Sequence, residues 1–157
     1  MNTVWERPNG PGSFSPPAII HIILTPDNEQ PMENNTNPTP DTSAIQSILN
    51  EHKKQIKIGL AMCAHCSLCA ESCFLYMSHE GDPQYMPSYK FLHSVGTLFR
   101  KKGKVTQPQL ETMRDLVFHN CVLCTRCYCP LGIDIPALIT VGRRICRSQG
   151  LFRTYDK

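Results

Sequence analysis

Residues 63–73 read CAHCSLCAESC, and residues 121–130 read CVLCTRCYCP. The first stretch is C-x2-C-x2-C-x3-C, with thiols at Cys63, Cys66, Cys69 and Cys73. The second opens on the same spacing at Cys121, Cys124 and Cys127, and closes with Cys129 before Pro130. Cysteines recurring every third residue let a short loop wrap three irons of one cubane, and one more thiolate completes a [4Fe–4S] site. Two such motifs predict two [4Fe–4S] clusters as the cofactors. Paired C-x2-C knuckles also make four-cysteine zinc sites. Zinc needs only two cysteines per knuckle, whereas each motif supplies a third at the same interval and a fourth beyond it. His65 lies inside the first motif and reads as a loop residue near the sulfurs, because four cysteines are already on hand.

The 157 residues contain 9 cysteines, and only Cys146 stands outside the two motifs. Disulfide frameworks space cysteines along loop-rich secreted chains. Here they cluster, and no secretory signal is legible before them. The thiols are therefore expected on metal in a reducing, cytoplasmic setting. No apolar run reaches the roughly 18 residues that a membrane span needs, so no transmembrane segment is expected. Hydrophobic residues make up 41% and charged residues 18%, as in ordinary folding chains. Residues 1–42 differ: they hold 8 of the 13 prolines, with one basic and five acidic side chains. That composition predicts an irregular, extended or disordered Pro-rich arm over 1–42. Its apolar patch, Ile19 to Leu24, reads either as resting on the protein's own surface or as docking on a partner.

The net charge is +3, and the arm carries −4, which leaves +7 on residues 43–157. Each oxidised cubane with its four thiolates carries roughly −2. The excess therefore reads as compensation for two clusters, and it is too small to argue for nucleic acid. Arg126, inside the second motif, is expected to sit near a cluster and to hold its potential up.

From residue 43 onward the apolar spacing is helical, and no strand pair or hairpin signal is present. Thr42 or Ser43 is expected to cap a helix with Ile45, Ile48, Leu49, His52 and Ile56 on one face, ending near Gly59. Pro87 opens a second helix with Phe91, Leu92, Val95, Leu98 and Phe99 inward. The run Arg100 to Lys104 ends it, with cations where the helix dipole favours them. Pro108 opens another with Leu110, Met113, Leu116 and Val117 inward. Asp134 caps a last helix carrying Leu138, Val141, Ile145 and Cys146 on one stripe and ending at Gly150. The fold class is all-α, and residues 43–157 are expected to form one domain holding both clusters.

With these motifs in place, residues from about 43 to 152 resemble the C subunit of heterodisulfide reductase. More broadly they resemble the α-helical ferredoxin family, which includes the iron–sulfur domains of succinate dehydrogenase and glycolate oxidase. The likeness rests on the two cysteine motifs, on the tail Cys129-Pro130-Leu131-Gly132-Ile133-Asp134, and on the 47 residues between Cys73 and Cys121. It implies two cubanes in a helical cradle, one on Cys63, Cys66, Cys69 and Cys129 and the other on Cys121, Cys124, Cys127 and Cys73. It also implies a relay of single electrons between two partners of heterodisulfide reductase type. One is a flavin-containing protein, and the other is a catalytic protein with CCG domains. This chain has neither a CCG sequence nor a Gly-rich phosphate loop, so the resemblance makes it the wire and implies no turnover alone. Residues 1–42 take no part in it.

The sequence departs from that pattern in two places. Phe74 follows Cys73, where the family has proline. The second motif has one residue between its last two cysteines in place of three. Cys129 keeps its register with Pro130 and Asp134, so the shortening is expected between Cys127 and Cys129, with Tyr128 squeezed outward or laid over a cluster. Cys146 is the reserve thiol, and its plain reading is a small buried apolar residue. Other functions stay open at this level: an iron–sulfur component of a succinate dehydrogenase- or glycolate oxidase-like complex, a cluster that does chemistry itself, an iron–sulfur redox sensor, and a zinc-stapled interaction module.

Overall fold

A computed structural model of the chain describes residues 39–153. Up to residue 38, the Pro-rich arm with its apolar patch lies outside the described residues. From Thr42 onward the chain is helical, with no strand among the described residues. The long helices are α1, Thr42–Glu51, α2, Lys53–Met62, α5, Pro87–His93, α6, Val95–Arg100, α7, Gln107–Arg114, and α8, Ile135–Ser148. Two short ones, α3, Leu68–Glu71, and α4, Phe74–Ser78, lie in and just after the first cysteine motif.

The centre of the fold is α8. Ile135, Leu138, Ile139, Val141, Ile145 and Cys146 are all buried on it, and α1, α2, α5, α6 and α7 pack around it. Each such apolar side chain withdrawn from water stabilises the fold by roughly 1.5–3 kcal/mol. The expected starts of two helices hold. Asp134 Oδ1 accepts the amide of Ala137 at 3.0 Å, and Pro87 occupies the first turn of α5. At α7 the cap is a capping box, Thr106 with Gln109.

Four boundaries differ from the sequence reading. Asp41 caps α1, its Oδ1 accepting the amides of Ser43 at 2.9 Å and Ala44 at 3.1 Å. The first helix breaks at His52 and then runs past Gly59 to Met62. Gly59 is a packing contact and not a stop: a Cβ there would lie 2.7 Å from Leu138 Cδ1. Helix α5 bends into α6 at buried Ser94, whose hydroxyl turns back onto the Lys90 carbonyl. Beyond α7 the chain widens into a π turn over Asp115–His119. That turn buries Leu116, Val117 and Phe118 together, three consecutive residues that a regular helical period would splay apart.

The basic run has the local role expected of it. Lys102 and Gly103 take left-handed conformations, with φ of 51° and 76°. The Gly103 amide returns to the Leu98 carbonyl at 2.9 Å, so the run closes the end of α6.

Candidate metal centres

All nine cysteines are free of disulfides. Eight of them line two cavities. The first is lined by Cys63, Cys66, Cys69 and Cys129, with Phe91, Ile133 and Ile135 behind them. The second is lined by Cys73, Cys121, Cys124 and Cys127, with Lys90, Pro136 and Ile139 behind them. Each cavity thus takes three cysteines from one motif and one from the other. Helices α5 and α8 supply residues to both, so the two sites share a wall. Among the described residues, no carboxylate lines either cavity.

The loops reach this arrangement through the same backbone device in both motifs. His65 and Ser67 flank Cys66 with φ of 54° and 61°, and Leu123 and Thr125 flank Cys124 with φ of 54° and 60°. None is glycine. A left-handed L-residue costs roughly 1–2 kcal/mol, and a β-branched threonine there is an outlier. Such strain persists only where surrounding contacts over-determine it. Its repetition at matching positions marks two loops wound around the same kind of object.

The shortened second motif has a specific accommodation. No helix forms between Cys121 and Asp134, whereas α3 spans the corresponding part of the first motif. The Tyr128 amide has no helical acceptor and donates instead to Ser72 Oγ at 3.0 Å. Ser72 Oγ in turn donates to the Cys69 carbonyl at 3.0 Å. One serine therefore stitches the motifs together where their last cysteines part toward opposite cavities. Tyr128 points outward, 63% exposed. Phe74, in the place of the usual proline, opens α4 and lines the second cavity.

Arg143 of α8 holds the start of the second motif. It donates from Nε to the Val117 carbonyl at 2.7 Å and from a terminal nitrogen to the Cys121 carbonyl at 2.5 Å. Its guanidinium lies over Phe118, 4.9 Å from the ring centroid. The neighbouring Arg144 pairs with Glu51 at 2.7 Å and ties α8 to α1.

Electrostatics separate the two cavities. Burial first, then the charges of Cys121, Cys73 and Cys124, push the Cys127 thiol up to about 12, while Lys90 pulls it down. The Cys127 thiol therefore keeps its proton until a metal takes its place, and binding would release that proton. Among the described residues, Lys90 is the cation lining this site. Arg126, expected near a cluster, is exposed and lines neither cavity. Lys90 escapes sequence reading because the stretch Pro87–His93 offers no local sign that position 90 faces inward. His65 is exposed at the rim of the first cavity. Cys146 lines neither cavity and lies wholly buried in the core.

Sulfur-only donors suit iron–sulfur clusters, zinc or copper(I). A single tetrahedral zinc would draw four thiolates to within about 3.8 Å of one another. Among the described residues, no three Cys, His, Asp or Glu side chains converge as a single-ion site. A cubane instead offers a separate iron to each of four thiolates, the number of cysteines that line each cavity.

Comparison with known proteins agrees with this chemistry. Residues 62–134 match the family model of the 4Fe-4S dicluster domain. The chain is 28% identical over 115 residues to the Hdr-like menaquinol oxidoreductase iron-sulfur subunit of Archaeoglobus profundus. It is 26% identical over 115 residues to the Hdr-like menaquinol oxidoreductase iron-sulfur subunit 2 of Archaeoglobus fulgidus. Each match covers 64% of this chain but 20% of the relative, so the chain spans about a fifth of the length of these curated proteins. No solved structure gives a significant match.

Proposed function

We propose that this chain, an Hdr-like iron–sulfur protein containing a 4Fe-4S dicluster domain, relays single electrons through two [4Fe–4S] clusters within a multisubunit oxidoreductase. The observation that carries the reading is the pair of all-cysteine cavities, each built from three thiols of one motif and one of the other. Cys63, Cys66, Cys69 and Cys129 would hold one cluster, and Cys121, Cys124, Cys127 and Cys73 the other. When bound, such clusters supply one-electron chemistry at potentials set by charge, hydrogen bonds and exposure.

The chain's own residues do the rest. Cys127 and Cys129 are two positions apart, so their Cα atoms lie within about 7 Å of each other. Two sites joined by so short a link are close neighbours, as a relay needs. Cys66 and Cys124 are exposed, one per site, which gives each site an outer edge toward a partner. Four thiolates per cluster leave no iron open to substrate, and we expect no turnover by the chain alone.

The partners that suit this reading are a CCG-type catalytic protein on one side and a flavin-containing donor on the other. The relatives are named as iron-sulfur subunits of a menaquinol oxidoreductase, which adds a quinol-reactive protein to the candidate partners. No described helix is long and apolar enough to cross a membrane. A cytoplasmic location suits the many free thiols.

The full chain, purified without oxygen, should contain about eight iron and eight sulfide and show two cubane signals on reduction. Stoichiometric zinc without sulfide would overturn the reading. Capture from the native host should bring down a CCG-containing protein. Substrate turnover by the isolated chain at the rate of its complex would contradict the relay.

A further inference from the structure

Lys90 is 1% exposed. Lysines are almost never so buried without a charged partner, because losing the ammonium's hydration is costly. Its ammonium lies 3.9 Å from Cys73 Sγ and 5.9 Å from the centroid of the Tyr85 ring. It lines the cavity of Cys73, Cys121, Cys124 and Cys127 and, among the described residues, has no counterpart at the other, where no lysine or arginine is among those that line it. The same cavity holds the Leu123 amide, which donates to Cys121 Sγ at 3.4 Å. Arg143 grips the Cys121 carbonyl just outside it.

We infer that Lys90 makes the Cys73, Cys121, Cys124 and Cys127 site the higher-potential member of the pair, and so sets the direction in which electrons settle. This rests on the proposed occupancy of both sites. One added electron makes a cluster more negative by one charge. A fixed positive charge against one of its thiolates, screened from water, favours that reduced state. An amide hydrogen bond to a sulfur acts in the same sense. Deeper burial of Cys73 and Cys121 acts against it, since a low dielectric disfavours extra negative charge. A full charge in contact with the thiolate outweighs a difference of a few exposed sulfur atoms. In the exchange itself one electron leaves the cluster on the Cys129 side and arrives at the one beside Lys90. No bond breaks and no proton moves. Lys90 is a positioning residue in this scheme, because it acts on electrons through the thiolate it faces.

The test is a spectroscopically monitored redox titration of the full chain with both clusters in place, dithionite being the reductant. Cys66→Ser and Cys124→Ser, each perturbing one cluster, assign the two signals. In the wild type the cluster beside Lys90 should reduce first. Lys90→Met, similar in length and uncharged, should lower that cluster's midpoint and leave the other in place, narrowing or reversing the order. Lys90→Arg should keep the order. Unmoved midpoints in Lys90→Met, or a shift upward, would overturn the inference. Should Lys90→Met fail to hold its cluster, Lys90→Gln against Lys90→Arg decides: a lower midpoint in the glutamine variant supports the inference. Equal midpoints, or loss of the cluster in every neutral variant, defeat it. A wild type without two cubane signals would defeat the site assignment itself, a separate failure.

Discussion

Cys129 and Cys146 occupy opposite surroundings although both lie near the chain's C-terminal third. Cys129 lines the first cavity beside Cys63, Cys66 and Cys69, while Cys146 is 0% exposed on α8. Cys129→Ser should therefore damage one cluster, and Cys146→Ala should leave both spectra unchanged at a stability cost of about 1 kcal/mol. The reverse result would make Cys146 the fourth ligand. Burial pushes the Cys146 thiol up to about 12 from 9.0, with Arg114 opposing and Asp115 adding to the shift. The folded chain thus keeps this proton longer than the unfolded chain does. The stability it contributes is whole below pH 9.0 and is lost as pH rises toward 12, by up to roughly 1.4 kcal/mol per pH unit. Urea midpoints measured on either side of pH 9 should fall more steeply for the wild type than for Cys146→Ala. Parallel slopes would mean that the thiol does not resist ionisation.

At the scale of elements, Gly59 lets α2 approach α8. Alanine gains about 1 kcal/mol over glycine in a helix interior. Here its Cβ would meet Leu138 Cδ1 at 2.7 Å, and Leu138 is locked in the core. Overpacking costs roughly 1–3 kcal/mol, so Gly59→Ala should be destabilising by about 1 kcal/mol. A higher melting temperature for the variant would show that Leu138 yields. The π turn at Asp115–His119 has a related role: by widening the helix it turns the Val117 carbonyl toward Arg143 and delivers Cys121 to its cavity.

For the whole molecule, the buried stripe of α8 forms a core that includes only three of the cluster-lining cysteines, Cys69, Cys73 and Cys121, among its buried residues. The loops around the cavities carry four left-handed residues that are not glycine, and leave Leu68, Val122, Tyr128 and Leu131 exposed instead of buried. Metal–thiolate bonds at the proposed sites would contribute directly to folding free energy. Removing the iron by a chelator should accelerate amide hydrogen exchange first in residues 63–73 and 121–134, with α8 the last to lose protection. The melting temperature should fall at the same time. Unchanged exchange in both loops would make the clusters guests of a preformed cradle and remove the strain argument.

The cysteine spacing, the helical periods, the helix start at Pro87 and the cap at Asp134 were legible in the sequence, because each is a relation between residues only a few positions apart. The all-α class and the iron–sulfur chemistry follow from such relations alone. The buried faces of α1, α5 and α8 were legible for the same reason. Other features depend on what folds back against a residue. Gly59 ends a helix in one surrounding and seats Leu138 in another. Ser72 and the Tyr128 amide meet across 56 positions of chain. Lys90 looks like any surface lysine until α5 is packed between two groups of thiols. Arg126, beside its cysteines in sequence, turns outward, and Lys90, 31 positions before Cys121, takes the place beside the sulfurs. Neighbourhood along the chain decides which cofactor the loops can wrap. Only packing decides which charges surround it, because charge acts through space and the helices choose what comes near.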